Sequence, residues 1–145
     1  MDIRIANTDT EINTCYTVMH ELRPHLDETE FVSRVRTQQQ AGYQLAYLQE
    51  AGSPVAVAGF RLGESLAWGK YLYVDDLATA SNQRSRGFGA ALLLWLTDFA
   101  RAEGCDQLHL DSGVHRKDAH RFYEREGMQL ASYHYAMAIS DKMPG

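Results

Sequence analysis

Arg84, Arg86, Gly87 and Gly89 stand together in the segment Arg84-Ser85-Arg86-Gly87-Phe88-Gly89, immediately ahead of a long apolar run. A helix N-terminus presents unpaired N–H groups and a partial positive charge, so acids are favoured neighbours there and arginines are not. Two arginines and no acid on such an approach are explained if an anion lies between them and the amides. The glycines would then let the backbone come close to it. The same glycines also suit a plain tight turn into the helix, with both arginines solvated. The pattern is not a P-loop, because G-x-x-x-x-G-K-[ST] is absent, and it is not a dinucleotide fingerprint, because Ala-Ala-Leu-Leu follows Gly89. A few residues upstream lie two adjacent acids, Asp75 and Asp76. An acid pair beside an anion cradle points to proton chemistry.

The elements that must position these residues follow from the patterning. Ile3 to Ala6 alternates as a short opening strand, and Asn7-Thr8-Asp9-Thr10 supplies helix-capping residue types. Ile12, Cys15, Tyr16, Met19 and Leu22 recur at helical spacing up to Arg23, where Pro24 stops the pattern. Asp27 to Glu30 opens a second helix, with Phe31, Val32 and Val35 facing inward and Gly42 at its end. Tyr43–Glu50 and Val55–Leu62 flank the turn Ala51-Gly52-Ser53-Pro54 and read as a hairpin. Trp68–Thr79 is a third strand of this antiparallel set.

The helix from Gly87 to about Glu103 is apolar over most of its circumference, which predicts heavy burial against a sheet. Gln107–Asp111 is the next strand, and a strand–helix–strand connection predicts that it runs parallel to the strand ending at Thr79. Val114–Glu126 reads as a last helix, Met128–Ile139 as a final strand and residues 140–145 as a frayed tail. The expected fold class is α+β: a mixed, mostly antiparallel sheet with one parallel pair, flanked by about four helices. Alternation places Tyr73 and Asp75 on one face of their strand and Val74 and Asp76 on the other unless a bulge intervenes, so only one acid should face a site.

Length and charge bound the function. A chain of 145 residues suits one domain, 1–145, with a single core. A net charge of -5 argues against a nucleic-acid partner. Cys15 and Cys105 form no spaced metal or redox set, the histidines His109, His115, His120 and His134 show no metal-site spacing, and no metal is expected. No window approaches ~18 uninterrupted apolar residues and the N-terminus lacks a signal pattern, so a cytoplasmic protein without a membrane partner is expected.

Asp75-Asp76-Leu77 through Leu93 resembles the central motif of the GNAT superfamily of N-acetyltransferases, [R/Q]-x-x-G-x-[G/A] between a strand and a helix. Arg84, Gly87 and Gly89 fill its fixed positions. Ala119 to Met128 is similar to the family's A-x-x-F-Y-x-x-x-G-[F/M] segment, and the opening strand and helix cap are similar too. The resemblance spans essentially the whole chain. It implies acetyl-CoA as co-substrate, with the amides of Arg84, Ser85, Arg86, Gly87, Phe88, Gly89 and Ala90 around the pyrophosphate. Leu77, Ala78 and Thr79 would pair with the pantetheine arm and supply an oxyanion donor. Two positions depart from the pattern: Ser85 replaces the usual glycine, and Arg116 stands where the family often has an asparagine.

The resemblance also suggests roles for single residues. Tyr123 would be the general acid that neutralises the departing thiolate. Asp75 or Asp76 would be the base, directly or through water, with Asp75 preferred by analogy with the family's polyamine enzymes. His120, on the side of the helix that carries Tyr123, would touch cofactor or substrate. Glu21 and His25, at a corner that walls the acceptor pocket in this family, would contact the acceptor, and the acids at that corner suit a cationic one. The reading is an N-acetyltransferase acting on a primary amine of a small molecule or peptide in a ternary complex; a non-catalytic acyl-CoA-binding or regulatory module of the same fold is the alternative. A homodimer through the final strand or the hairpin fits either.

Overall fold

A computed structural model describes residues 1–142. The chain divides into two compact units, one of residues Met1–Leu110 and one that starts at Asp111.

The first unit is a five-stranded sheet in sequence order: β1 (Asp2–Ile5), β2 (Gln44–Glu50), β3 (Ser53–Ser65), β4 (Gly69–Thr79) and β5 (Gln107–Leu110). The first three pairings are antiparallel, and β4–β5 is parallel across the crossover helix α4 (Phe88–Ala102). The chain between β1 and β2 forms α1 (Asp9–Thr14), α2 (Tyr16–Leu22) and α3 (Glu28–Gln39). The helix expected from Glu11 to Arg23 is thus two helices meeting at Cys15, and α4 completes four in this unit. Thr8 and Glu11 make a reciprocal capping box at the start of α1, and Asp27 caps α3 through the Thr29 amide.

Strand alternation sends side chains to two cores. Ala46, Leu48, Ala56, Ala58, Phe60 and Leu72 pack against Phe88, Leu92 and Leu96 of α4. Leu45, Tyr47 and Val57 pack on the opposite face against Ile12, Met19, Phe31 and Val35 of the other three helices. In α4 the buried residues are Phe88, Leu92, Leu93, Leu96 and Ala100, as the sequence pattern predicts. The helix ends in a Schellman arrangement, with Cys105 N donating to the Ala100 carbonyl and Gly104 N to that of Arg101.

The second unit holds α5 (Lys117–Arg125), closed by Met128 N on the Tyr123 carbonyl and Gly127 N on that of Glu124. The expected final strand, Met128–Ile139, does not form: residues 128–138 have no regular structure. Tyr133, Tyr135, Met137 and Ile139 alternate as a strand would, yet all are exposed. Alternation is a pattern of side chains, and a strand also needs a neighbour to take its N–H and C=O groups. Of the expected 140–145 tail, residues 140–142 form only bends, and 143–145 lie outside the described residues.

Candidate active site

A β-bulge places both acids on one side of the sheet. Gly59 of β3 lies opposite Asp76 and Phe60 opposite Val74, so Asp75 is the extra residue on β4. The core contacts show the change of phase: Leu72 and Val74 belong to the α4 face before the bulge, and Leu77 joins that face after it, while Ala78 packs with the other helices. The expectation that one acid would face away is therefore corrected. Asp75 and Asp76 both line a cavity of about 330 Å3 between the sheet and α2–α3, with Met19, Leu26, Phe31 and Val35 as its apolar wall.

Each acid is held by an arginine from a distant element. Arg23, just past α2, donates Nε to Asp76 Oδ1 at 3.0 Å and Nη2 to the Asp75 carbonyl at 2.9 Å. Arg61 of β3 donates Nε to Asp75 Oδ2 at 2.9 Å and Nη2 to Gln38 Oε1 at 2.8 Å. The Tyr43 hydroxyl donates to Asp76 Oδ2 at 2.8 Å, and the Arg61 guanidinium lies 5.5 Å from the Tyr43 ring centroid. That phenol passes over Gly59, where an added Cβ would overlap its hydroxyl and lie 2.6 Å from Asp76 Oδ2. The glycine is what allows Tyr43 to reach the acid.

The two carboxylates are not equivalent. Both oxygens of Asp76 are occupied, whereas Asp75 has a hydrogen bond only at Oδ2. Burial raises the Asp75 pKa above the ordinary carboxylate value, outweighing the opposing pull of Arg61. Burial and the neighbouring Asp76 push the Tyr43 phenol well up, so it stays a donor. Arg23, Arg61, Tyr43 and Gln38 carry no motif and come from positions up to 53 residues away from the acids they serve. The local clues are Arg61, a charge within the apolar run Val55–Leu62, and Gly59, a glycine inside the same run.

The loop expected to hold an anion turns sharply into α4. After one 3-10 turn at Ser81–Gln83, Ser85 and Gly87 adopt left-handed φ values of 67° and 82°. Gly87 is the N-cap of α4 and no side chain caps that helix, whose first turn contains no acid. The next backbone bond is from Ala91 N to the Gly87 carbonyl, so the amides of Phe88, Gly89 and Ala90 are the orphan donors of a helix start. The Phe88 ring is itself in the core, leaving only its main chain for a ligand. Arg84 is exposed and forms no ion pair among the described residues. Arg86 is tied down: Nη2 meets Glu50 at 3.0 Å, Nη1 meets Gln83 at 2.6 Å, and the guanidinium sits 4.9 Å from the Phe88 centroid.

Leu77, Ala78 and Thr79 pair with Ala58, Val57 and Ala56 on one side, while the β5 pairing on the other edge stops at Val74–Leu110. Their second edge thus has no strand within this unit, which leaves main-chain groups for an extended ligand. The Glu21 carboxylate accepts from the Ser81 amide at 3.1 Å. His25 lines the cavity with the acids.

Tyr123, Arg116 and His120 belong to the second unit. Arg116 precedes α5 as its N-cap, and a His120 ring nitrogen lies 2.7 Å from the Gly113 carbonyl. Burial raises the Tyr123 pKa, with the Arg116 charge opposing it. Among the described residues no group of three metal-ligating side chains converges, and no helix is long and apolar enough to cross a membrane.

The Acetyltransferase (GNAT) family model matches residues 7–128. Over 120 residues the chain is 38% identical to an uncharacterised N-acetyltransferase, YhdJ, of Bacillus subtilis, covering 81% of this chain and 84% of that protein. It is 32% identical over 66 residues to an aminoalkylphosphonate N-acetyltransferase of Salmonella typhimurium, covering 46% and 43% of the two chains. Among solved structures, AAC(6')-Iy in complex with the bisubstrate analogue CoA-S-monomethyl-acetylneamine superposes with a TM-score of 0.80, covering 96% of this chain and 97% of that one at 14% identity, a likeness of fold. The uncapped glycine–arginine helix start, the mixed sheet with its parallel pairing up to Val74–Leu110, and a match over residues 7–128 place this chain in the GNAT family of acetyltransferases.

Proposed function

We propose that this chain, as one domain over residues 1–145, transfers the acetyl group of acetyl-CoA to a primary amine of a small molecule or peptide, by direct attack in a ternary complex. The observation that carries the reading is the pairing, within one unit, of an open cofactor edge with a cavity that presents an underused carboxylate, Asp75 Oδ1. The residues present fit CoA: the α4 amides and the free Arg84 would hold the pyrophosphate, and the unpaired edge of Leu77–Thr79 would accept the pantetheine arm. Bound acetyl-CoA supplies the activated acetyl thioester. Arg116 and His120 are assigned to the cofactor side as well.

Asp75 takes the proton that a substrate ammonium must lose before attack, and its raised pKa makes it a better base than an ordinary carboxylate. Asp76, with both oxygens occupied, holds Arg23 and Tyr43 in place. Tyr123 gives its phenolic proton to the departing thiolate. Direct attack is preferred to an acyl-enzyme because burial pushes the Cys15 thiol up to about 12 and also raises that of Cys105, leaving little thiolate for covalent catalysis. The relative named for aminoalkylphosphonates supports a small amine as acceptor.

Thiol release from acetyl-CoA across a panel of amines tests the reading, and tight CoA binding without turnover on any acceptor would make the chain a binding module instead. Tyr123→Phe should lower kcat by roughly ten- to a thousandfold with CoA affinity nearly unchanged. A fully active variant removes Tyr123 from the mechanism.

A further inference from the structure

The acceptor cavity is not acidic once its ion pairs are counted. Arg23, Arg34 and Arg61 line it together with Asp75 and Asp76, so with both acids ionised the wall keeps one net positive charge. The sequence expectation of a corner suited to a cationic acceptor considered only its acids. The arginines arrive from the residue just past α2, from α3 and from β3.

Hydrogen-bond capacity is just as uneven. A guanidinium carries five N–H donors. Arg23 and Arg61 each use Nε and Nη2, which leaves both Nη1 groups, and Arg34 forms no ion pair among the described residues. On the acceptor side each Asp76 oxygen already accepts one hydrogen bond, and of the two carboxylates only Asp75 Oδ1 accepts none. The cavity therefore offers one unoccupied carboxylate oxygen to an ammonium and several unused N–H groups to an oxyanion. A second cation on the ligand would meet three guanidiniums with no free carboxylate.

We infer that the acceptor is a compact amine bearing an oxyanionic group, a carboxylate or a phosphonate, which Arg34 and the spare N–H groups of Arg23 and Arg61 hold while the amino group lies at Asp75 Oδ1. This rests on the transferase reading and deepens it by naming the acceptor's class. A volume of about 330 Å3 suits a small molecule of this kind.

The test measures thiol release with 2-aminoethylphosphonate and β-alanine against ethanolamine and spermidine, so that the two anionic arms also separate phosphonate from carboxylate. Either anionic amine should exceed both comparators in kcat/KM by tenfold or more. Arg34→Gln should cut that ratio by roughly ten- to a hundredfold, chiefly through KM, and Arg34→Lys should restore part of it. Equal or better turnover of ethanolamine or spermidine, or a ratio indifferent to Arg34→Gln, overturns the inference and leaves the transferase reading standing. Calorimetric titration of the same two anionic amines into the CoA complex is read without turnover. Binding that Arg34→Gln abolishes supports the anion site even if no thiol is released, in which case the transferase reading fails; no binding of either amine overturns the anion site.

Discussion

Gly59→Ala tests the architecture of the cavity around Asp75 and Asp76 through a single methyl group. Gly59 lies opposite Asp76, and the methyl would occupy the space of the Tyr43 hydroxyl. Tyr43 is 5% exposed, so its ring has little room to retreat. Alanine alone would favour the strand by about 0.5–1 kcal/mol through a smaller loss of backbone entropy. Against that stand the lost hydrogen bond to a charged acceptor, about 1.5–3 kcal/mol, and the overpacking of a buried ring, about 1–3 kcal/mol. The net is a destabilisation of about 2–5 kcal/mol, read from urea unfolding followed by tryptophan fluorescence. Tyr43→Phe removes the hydroxyl alone and should cost about 1.5–3 kcal/mol. In that background Gly59→Ala has no hydrogen bond left to break, so the two changes should fall short of additivity by about the value of that bond. A Gly59→Ala protein within about 0.5 kcal/mol of the parent, or strict additivity in the double variant, would refute the idea that the glycine exists to let Tyr43 reach Asp76.

The proposed cofactor loop and base can be tested in the same spirit. Ser85→Gly should stabilise by up to about 1 kcal/mol, since serine there occupies a left-handed φ of 67°. Arg84→Ala should weaken CoA binding about tenfold by calorimetry, whereas Arg86→Ala, whose guanidinium is already committed to Glu50 and Gln83, should weaken it less; equal losses would refute the distinction. Asp75→Asn should lower kcat/KM by about 10²–10⁴-fold and remove its acid limb. Because the folded pKa of Asp75 is raised, that limb should lie above the ordinary carboxylate range, with activity lost as pH falls through it. The sign for stability is the reverse: ionising Asp75 costs folding energy, so its favourable contribution is complete below the unfolded pKa and fades as pH rises through the folded one. An unchanged profile in Asp75→Asn would assign the base elsewhere.

What the sequence made legible, and what it hid, divides along the range of the interactions. The loop Arg84–Gly89 and the buried face of α4 could be read because a helix start and an apolar stripe are local properties, written in residues a few positions apart. The failed strand at Met128–Ile139 shows the limit of the same logic, since Tyr133, Tyr135 and Met137 alternate correctly and still have no ladder. The acid pair failed in the opposite direction. Strict alternation separated Asp75 from Asp76, and one extra residue opposite the Gly59–Phe60 step brought them together. Gly59 inside β3 is the bulge's faint local mark, but it does not say which acid is the extra residue, and Arg23 meets Asp76 only across α3, β2 and β3. The electrostatic character of the cavity is therefore a tertiary property. Two adjacent aspartates read along the chain point to proton chemistry, and the folded protein adds Arg23, Arg34 and Arg61 around them, which is the ground for inferring an acceptor that brings its own negative charge.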